Sequence, residues 1–295
     1  MSKMIKTICF GEVLVDVFPD GERIGGAPLN VAARLASMGA KSEIISKVGK
    51  DQRGKKIMSF LQERGIGTAG ISEDEEYPTG VVEVSLSNSG SASYEISYPS
   101  AWDNILATEN VKELVGDADA FVFGSLACRN EVSRRSLFEL IPYARFKVLD
   151  FNLRPPHYSE DLLAKLLRSA DFVKLNDDEL FEIAAVMGAP YFSLEQNLHF
   201  IANNSSASSI CVTKGRHGAV ILHKGKLYYN SGYKIKVRDT VGAGDSFLAS
   251  LLLKYLSGEP IQHALDYACA VGALVAGEKG ANPRLDPEDI KRFLG

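Results

Sequence analysis

Residues 239–247, DTVGAGDSF, set two carboxylates around a glycine turn, and apolar helix-like sequence follows at once. Gly242 and Gly244 let a backbone turn tightly and bring several N–H groups toward one point. At a helix N-terminus such donors make an anion hole. Asp245 falls in the first helical turn, where the helix dipole favours the ionised carboxylate. A carboxylate is a weak base, but it suffices for phosphoryl transfer, in which a loose transition state releases the hydroxyl proton late. Taken alone, the stretch is equally a glycine-led helix start with two spare acids.

Other chemistries find less support. GIGTAG, residues 65–70, fits the dinucleotide pattern G-x-G-x-x-G, but it follows a helix-like run and leads into ISEDEE. That motif works only between a strand and a helix, so Gly65 reads as a helix stop. No G-x-x-x-x-G-K-[ST] loop, G-x-S-x-G elbow or close histidine pair is present, and the five histidines read as surface or packing residues.

The elements that must position these groups alternate. KTICFGEVLVDVF reads as a strand, GGAPLNVAARLASMG as a glycine-rich turn entering a helix that closes at Gly39, and SEIISKVG as the next strand. Asp51 is placed to cap the helix DQRGKKIMSFLQERG. Over 77–100, Val82, Val84 and Leu86 share one face of a strand, a turn falls at Asn88–Gly90, and Tyr94, Ile96 and Tyr98 resume the apolar face. Short apolar strands (AFVFG, FKVLDFNLR, DFVKLN, SSICVTKG) then alternate with helices over 131–144, 160–170 and 176–186. A hairpin is expected around Lys224–Gly225, and helices over most of 244–278. This βαβ order implies a mainly parallel sheet covered on both faces, with ligands beyond the carboxyl ends of its strands. No repeat, charge block or linker divides residues 1–295, which read as one α/β domain.

The totals bound the function. A chain of 295 residues at 45% hydrophobic and 24% charged residues is globular, and a formal charge of −4 argues against nucleic acid as a partner. Cys9, Cys128, Cys211 and Cys269 lack paired spacing, which points to buried thiols in a reducing compartment. With no signal-like or membrane-spanning run, a cytoplasmic location is expected.

DTVGAGDSF closely resembles the second signature of the ribokinase-like (PfkB) sugar kinases, and GGAPLNVAARLASMG resembles the first. The likeness extends through Asp16, KVGKDQRGKKIMSFLQERGI, Thr79–Gly80, NDDE and TKGRHG, essentially the whole chain. It implies a three-layer α/β/α fold with a small β lid, formed by about 12–24 and 77–103. It also implies ATP and Mg2+ as cofactors, with K+ as a further cation. By position, Asp245 resembles the catalytic base, and Gly242, Ala243 and Gly244 the anion hole. Asp16, Gly26 and Asn30 resemble the sugar-binding residues. Asn176, Thr213, Gly215, Gly218, Gly280 and Ala281 resemble the nucleotide side. Glu179 resembles the acid that organises Mg2+ through water, and the backbone at Asp239, Val241 and Gly280 resembles a monovalent-cation site. A capped helix with solvated acids is the alternative for Asn176 and Glu179.

Ala-Pro after the glycine pair and the D-x-N-x-R element in DFNLRPPHY resemble fructokinases and ketodeoxygluconate kinases. Arg154 there offers a forked donor to a sugar hydroxyl, a carboxylate or a phosphate, or else makes a structural ion pair. Phe151 stands where relatives often have Pro. The resemblance implies phosphorylation of D-fructose at O6. Ketodeoxygluconate or another sugar, a nucleoside, and a non-catalytic sugar-binding role are the alternatives. It also implies a homodimer through the lids, while Tyr94, Tyr98 and Trp102 alternatively pack the hinge.

Overall fold

The computed structural model describes residues 4–86 and 92–294. Its strands are β1 (Lys6–Phe10), β2 (Leu14–Phe18), β3 (Gly21–Gly25), β4 (Lys41–Gly49), β5 (Gly67–Asp74), β6 (Gly80–Leu86), β7 (Ala92–Ile96), β8 (Ala120–Gly124), β9 (Lys147–Asp150), β10 (Phe172–Asn176), β11 (Ser209–Thr213), β12 (Ala219–His223) and β13 (Lys226–Asn230). The helices are α1 (Ala27–Ser37), α2 (Gln52–Glu63), α3 (Glu109–Asp117), α4 (Glu131–Leu140), α5 (Glu160–Ser169), α6 (Asp177–Val186), α7 (Leu194–Asn203), α8 (Ala243–Leu256), α9 (Ile261–Ala276) and α10 (Pro287–Leu294).

Nine strands form the main sheet in the order β13-β12-β11-β10-β9-β8-β1-β4-β5, parallel from β5 to β11 and antiparallel at β12 and β13. Side-chain alternation sorts its core into two layers. Ile8, Phe10, Phe121, Phe123, Val173 and Leu175 pack with α3 to α7. Cys9, Val122, Val148 and Phe172 pack with α1, α2, α8 and α9. The strand order reverses at β1, which pairs with both β4 and β8, and such a switch point opens a crevice at the strand ends.

The strand expected over KTICFGEVLVDVF is two strands in different sheets. The chain turns at Gly11, and Leu14–Phe18 joins a small sheet of order β3-β2-β6-β7. The two apolar halves on either side of Gly11–Glu12 read together as one strand, because both are buried. Asp16 therefore sits within β2, opposite Arg23 of β3 and Val82 of β6, rather than at a strand end. Val82, Val84 and Leu14 make the buried face of that sheet, with Phe18 and Ile96 against it. The turn expected at Asn88–Gly90 and the side chains of Leu86 and Tyr94 lie outside the described residues.

Trp102 is buried beneath the small sheet, with the Arg129 guanidinium 3.9 Å from its ring centre. Arg129 also pairs with buried Asp103 at 2.7 Å and donates to the Ser97 carbonyl at the end of β7. Tyr98, by contrast, is exposed. Asp51 caps α2 by accepting from Gly54 N at 2.8 Å, and it also receives the Thr79 hydroxyl and N–H. All four cysteines are free and buried. Among the described residues no helix is long and apolar enough to cross a membrane.

Candidate active site

Two helices begin over the crevice with glycine at the N-cap and no side-chain cap. Gly26 opens α1 and Gly242 opens α8. Gly26 has φ +112°, and a Cβ there would stand 2.4 Å from the Glu12 carbonyl, so only glycine lets the helix start approach the turn after β1. Helix geometry leaves the first N–H groups of each helix without partners inside it. In α8, Ala243 N already donates to the Thr240 carbonyl at 3.2 Å, so the open donors are those of Gly244 and Asp245. Ala243 thus contributes turn shape rather than a free donor.

The two helix starts are tied by one hydrogen bond. Asn30, buried in the first turn of α1, donates to Asp245 Oδ2 at 2.8 Å, and its carbonyl accepts from Asn282 Nδ2 at 2.7 Å. Asn30 therefore orients Asp245. Asp245 is half-buried, and burial raises its pKa against the lowering effects of Lys174, the Asn30 hydrogen bond and Arg154.

Asp150 opens the D-x-N-x-R element read in the sequence, whereas Lys174 was not visible there as a site residue. Val148 and Phe172 belong to the α8 layer, so alternation turns Asp150 and Lys174 to the same side at the ends of β9 and β10. They pair there at 3.0 Å, both buried. A Cβ on Gly244 would lie 3.4 Å from Lys174 Nζ, so the ammonium sits directly beneath the start of α8. Burial disfavours the ammonium, but the charges of Asp150, Glu179 and Asp245 outweigh it and raise its pKa. A lysine inside an apolar strand run was the available signal.

Glu12, also missed, follows β1 at the switch point. One of its carboxylate oxygens is buried with no protein partner, and burial raises its pKa to about 7. Asp16 is likewise raised to about 6 by burial, against the charges of Arg23 and Arg154. Arg154 is exposed, donates to the Leu153 carbonyl, and makes no ion pair among the described residues. Its charge lowers the pKa of Glu12, Asp16, Asp150 and Asp245 together.

The nucleotide-side positions lie farther along the rim. Asn176 and Glu179 form a reciprocal cap: Asn176 Oδ1 accepts from Glu179 N, and Glu179 Oε2 accepts from Asn176 N, both at 2.8 Å. Glu179 Oε1 takes Leu153 N at 2.7 Å, and burial raises this carboxyl. Thr213 pairs in register with Asn176, and Gly215 and Gly218 flank the short 3-10 turn beyond it. Asp239 ties two loops, accepting from Val241 N and Gly280 N at 3.0 Å. Ala281 packs against Gly242. Among the described residues no group of three His, Cys, Asp or Glu side chains gathers to hold a metal.

The model of the pfkB family of carbohydrate kinases matches residues 4–288. The chain belongs to this family. A fructokinase of Vibrio alginolyticus is 29% identical over 97% of each chain. The fructokinase of Vibrio cholerae, solved with fructose, ADP and a calcium ion, superposes with a TM-score of 0.84 at 27% identity over 99% of each chain. The fructokinase of Xylella fastidiosa, solved with ATP, has a TM-score of 0.86 at 24% identity over 98% of each chain, a likeness of fold. This kinase thus carries its family's fold from end to end.

Proposed function

We propose that this kinase transfers the γ-phosphoryl group of ATP to the 6-hydroxyl of D-fructose. The observation that carries the reading is Asp245, held by Asn30 beside the open N–H groups at the start of α8. A hydroxyl placed at Asp245 would attack a phosphoryl group whose oxygens face Gly244 N and Asp245 N. Asp245 takes the proton as the new O–P bond forms and the bond from the γ-phosphorus to the β-phosphate oxygen breaks, with ADP as the leaving group, and each such donor is commonly worth about 3 kcal/mol. Asp16, with Gly26 and Arg154, would hold the sugar, the carboxylate accepting from its hydroxyls. Relatives named fructokinases along the full chain favour fructose.

ATP would lie across Asn176, Thr213, Gly215, Gly218, Gly280 and Ala281. The acid-rich rim and the unshared lone pairs of Glu179 fit Mg2+ held largely through water and phosphate. Bound there, Mg2+ would neutralise charge on the phosphates. The loops joined by Asp239 are the place for K+ on the carbonyls of Asp239, Val241 and Gly280. Residues about 12–24 and 77–103, of which 87–91 lie outside the described residues, are assigned to the lid of a single domain, which closes to exclude water, and paired lids make a homodimer. The setting is cytoplasmic.

A second reading, ketodeoxygluconate, is favoured by Arg154, whose guanidinium has no carboxylate partner among the described residues and suits a sugar acid. A coupled assay of ADP release across fructose, ribose, ketodeoxygluconate, tagatose and adenosine decides between them. Fructose should give the highest kcat/KM, and a tenfold advantage for any other acceptor would replace it.

A further inference from the structure

On the helical face behind the crevice, a cavity of about 1040 Å³ opens between the last turns of α1, α2 and α8, the middle of α9, and residues 282–290. Its walls carry four cations, Arg34, Arg64, Lys254 and Arg284, against one glutamate, Glu63, in a protein of net charge −4. Lys254 is accounted for, because it pairs with Glu259 and lies over the Tyr267 ring. The three guanidinium groups are not: among the described residues none has a carboxylate in ion-pair range.

Arg34 is the telling member. It is 4% exposed, and a buried charge normally requires an opposite one. Its Nε donates to Ser246 Oγ at 3.1 Å and its Nη2 to the Pro283 carbonyl at 3.0 Å, which are both neutral acceptors. Burial and the like charge of Arg64 lower its pKa to about 10. A helix C-terminus can stabilise a cation, which suits Arg64 at the end of α2 and the backbone position of Arg34 in the last turn of α1. The head of Arg34 instead reaches Ser246 in the first turn of α8, the positive end of that helix. Arg64 is held on the Phe60 ring and reaches only the Asn282 carbonyl at 3.5 Å, while Arg284 is exposed.

We propose that Arg34, Arg64 and Arg284 form a second ligand site, distinct from the sugar and nucleotide crevice, for a small phosphorylated metabolite. Guanidinium forks match phosphate oxygens, and the cavity has the volume of a small-molecule site. The site is wired to the crevice. Ser246 follows Asp245 in sequence, and Pro283 follows Asn282, which bonds the Asn30 that holds Asp245. A phosphate that draws on Arg34 competes with contacts at both points, so occupancy reaches the orientation of Asp245.

Calorimetric titration of the full chain with pyrophosphate at low ionic strength tests this, with the nucleotide site filled by a non-hydrolysable ATP analogue. Saturable binding at one site per chain is expected. Arg64→Ala with Arg284→Ala, both at exposed positions, should raise the Kd at least tenfold, and Arg34→Met should abolish binding. Asp16→Ala should leave the Kd within twofold, so the result stands whichever sugar the kinase uses. Loss of binding when the nucleotide site is filled would assign the pyrophosphate to that site and overturn the proposal. Wild-type affinity in the double arginine variant would overturn it too. Tighter binding of citrate than of pyrophosphate would overturn the phosphate class.

Discussion

α6 and α8 both begin at the rim of the crevice, and their first turns are built in opposite ways. At α6, Asn176 and Glu179 exchange hydrogen bonds with each other's backbone, so the helix start satisfies two of its donors from its own side chains. At α8, Gly242 offers no side chain, and the donors of Gly244 and Asp245 stay open above the Lys174 ammonium. The first arrangement fixes a helix, and the second reserves its positive end for a ligand. α1 likewise starts at a glycine with no side-chain cap, and the Asn30–Asp245 bond joins the two starts.

The largest expected effect comes from removing the acid at the open start. Asp245→Asn keeps the shape and the capacity to bond Asn30, but it cannot accept the substrate proton. We expect kcat to fall by about 10³-fold or more with the sugar KM within a few-fold, read from steady-state kinetics. Turnover within tenfold of wild type would remove Asp245 as the base, and the contrast between the helix starts would lose its chemical meaning.

Next comes the glycine that keeps the start open. Gly242 has φ +74°, and a Cβ there would meet the Ala281 carbonyl at 2.5 Å. Gly242→Ala must either strain the turn, at about 1–2 kcal/mol, or push the 280–282 loop away. Displaced donors should lower kcat by about 10²-fold. A variant that loses stability but keeps wild-type kcat would show that the open turn matters only for folding.

These features differ in how far the sequence disclosed them. The glycines and Asp245 form one contiguous motif, and local chemistry can be read along the chain. Alternation also gave the parallel sheet, because each of its strands is a short apolar run. Lys174 and Asp150 lie 24 residues apart and meet only through the register of β9 and β10, which no single stretch encodes. Asn30 kept its place near the site, and its bonds to Asp245 and Asn282 were hidden because those partners lie 215 and 252 residues away. The break at Gly11 was lost because burial on both sides of it reads as one strand.

A third effect concerns the acid on the small sheet. Burial raises Asp16 to about 6, so a sugar hydroxyl meets an ionised acceptor only above that pH. kcat/KM for the sugar should therefore rise through pH 6 to a plateau, and Asp16→Asn should lower the plateau at least tenfold and erase the limb. The sign for stability is opposite. A carboxyl raised above its ordinary value of 3.8 favours the folded, sugar-free chain at low pH, and that stability is lost as pH rises through 6. Glu12, raised from 4.5 to about 7, extends the loss to neutral pH. Thermal melts at pH 5 and 7.5 check this, and an Asp16→Asn protein that melts higher at pH 7.5 than wild type supports it. An acid limb unchanged in Asp16→Asn would assign it to another group.

The smallest effect belongs to the closed start, and it sharpens the comparison most. Asn176→Ala removes the cap of α6, worth about 1 kcal/mol, which for a chain of this size lowers Tm by about 2 °C. Because the Oδ1 of Asn176 is already committed to Glu179 N, only its amide group is free to touch a nucleotide. The KM for ATP should therefore rise a few-fold at most. A tenfold rise with an unchanged Tm would mean that α6, like α8, presents its first turn to the ligand. In that case the reciprocal cap would be the resting form of a second open helix start.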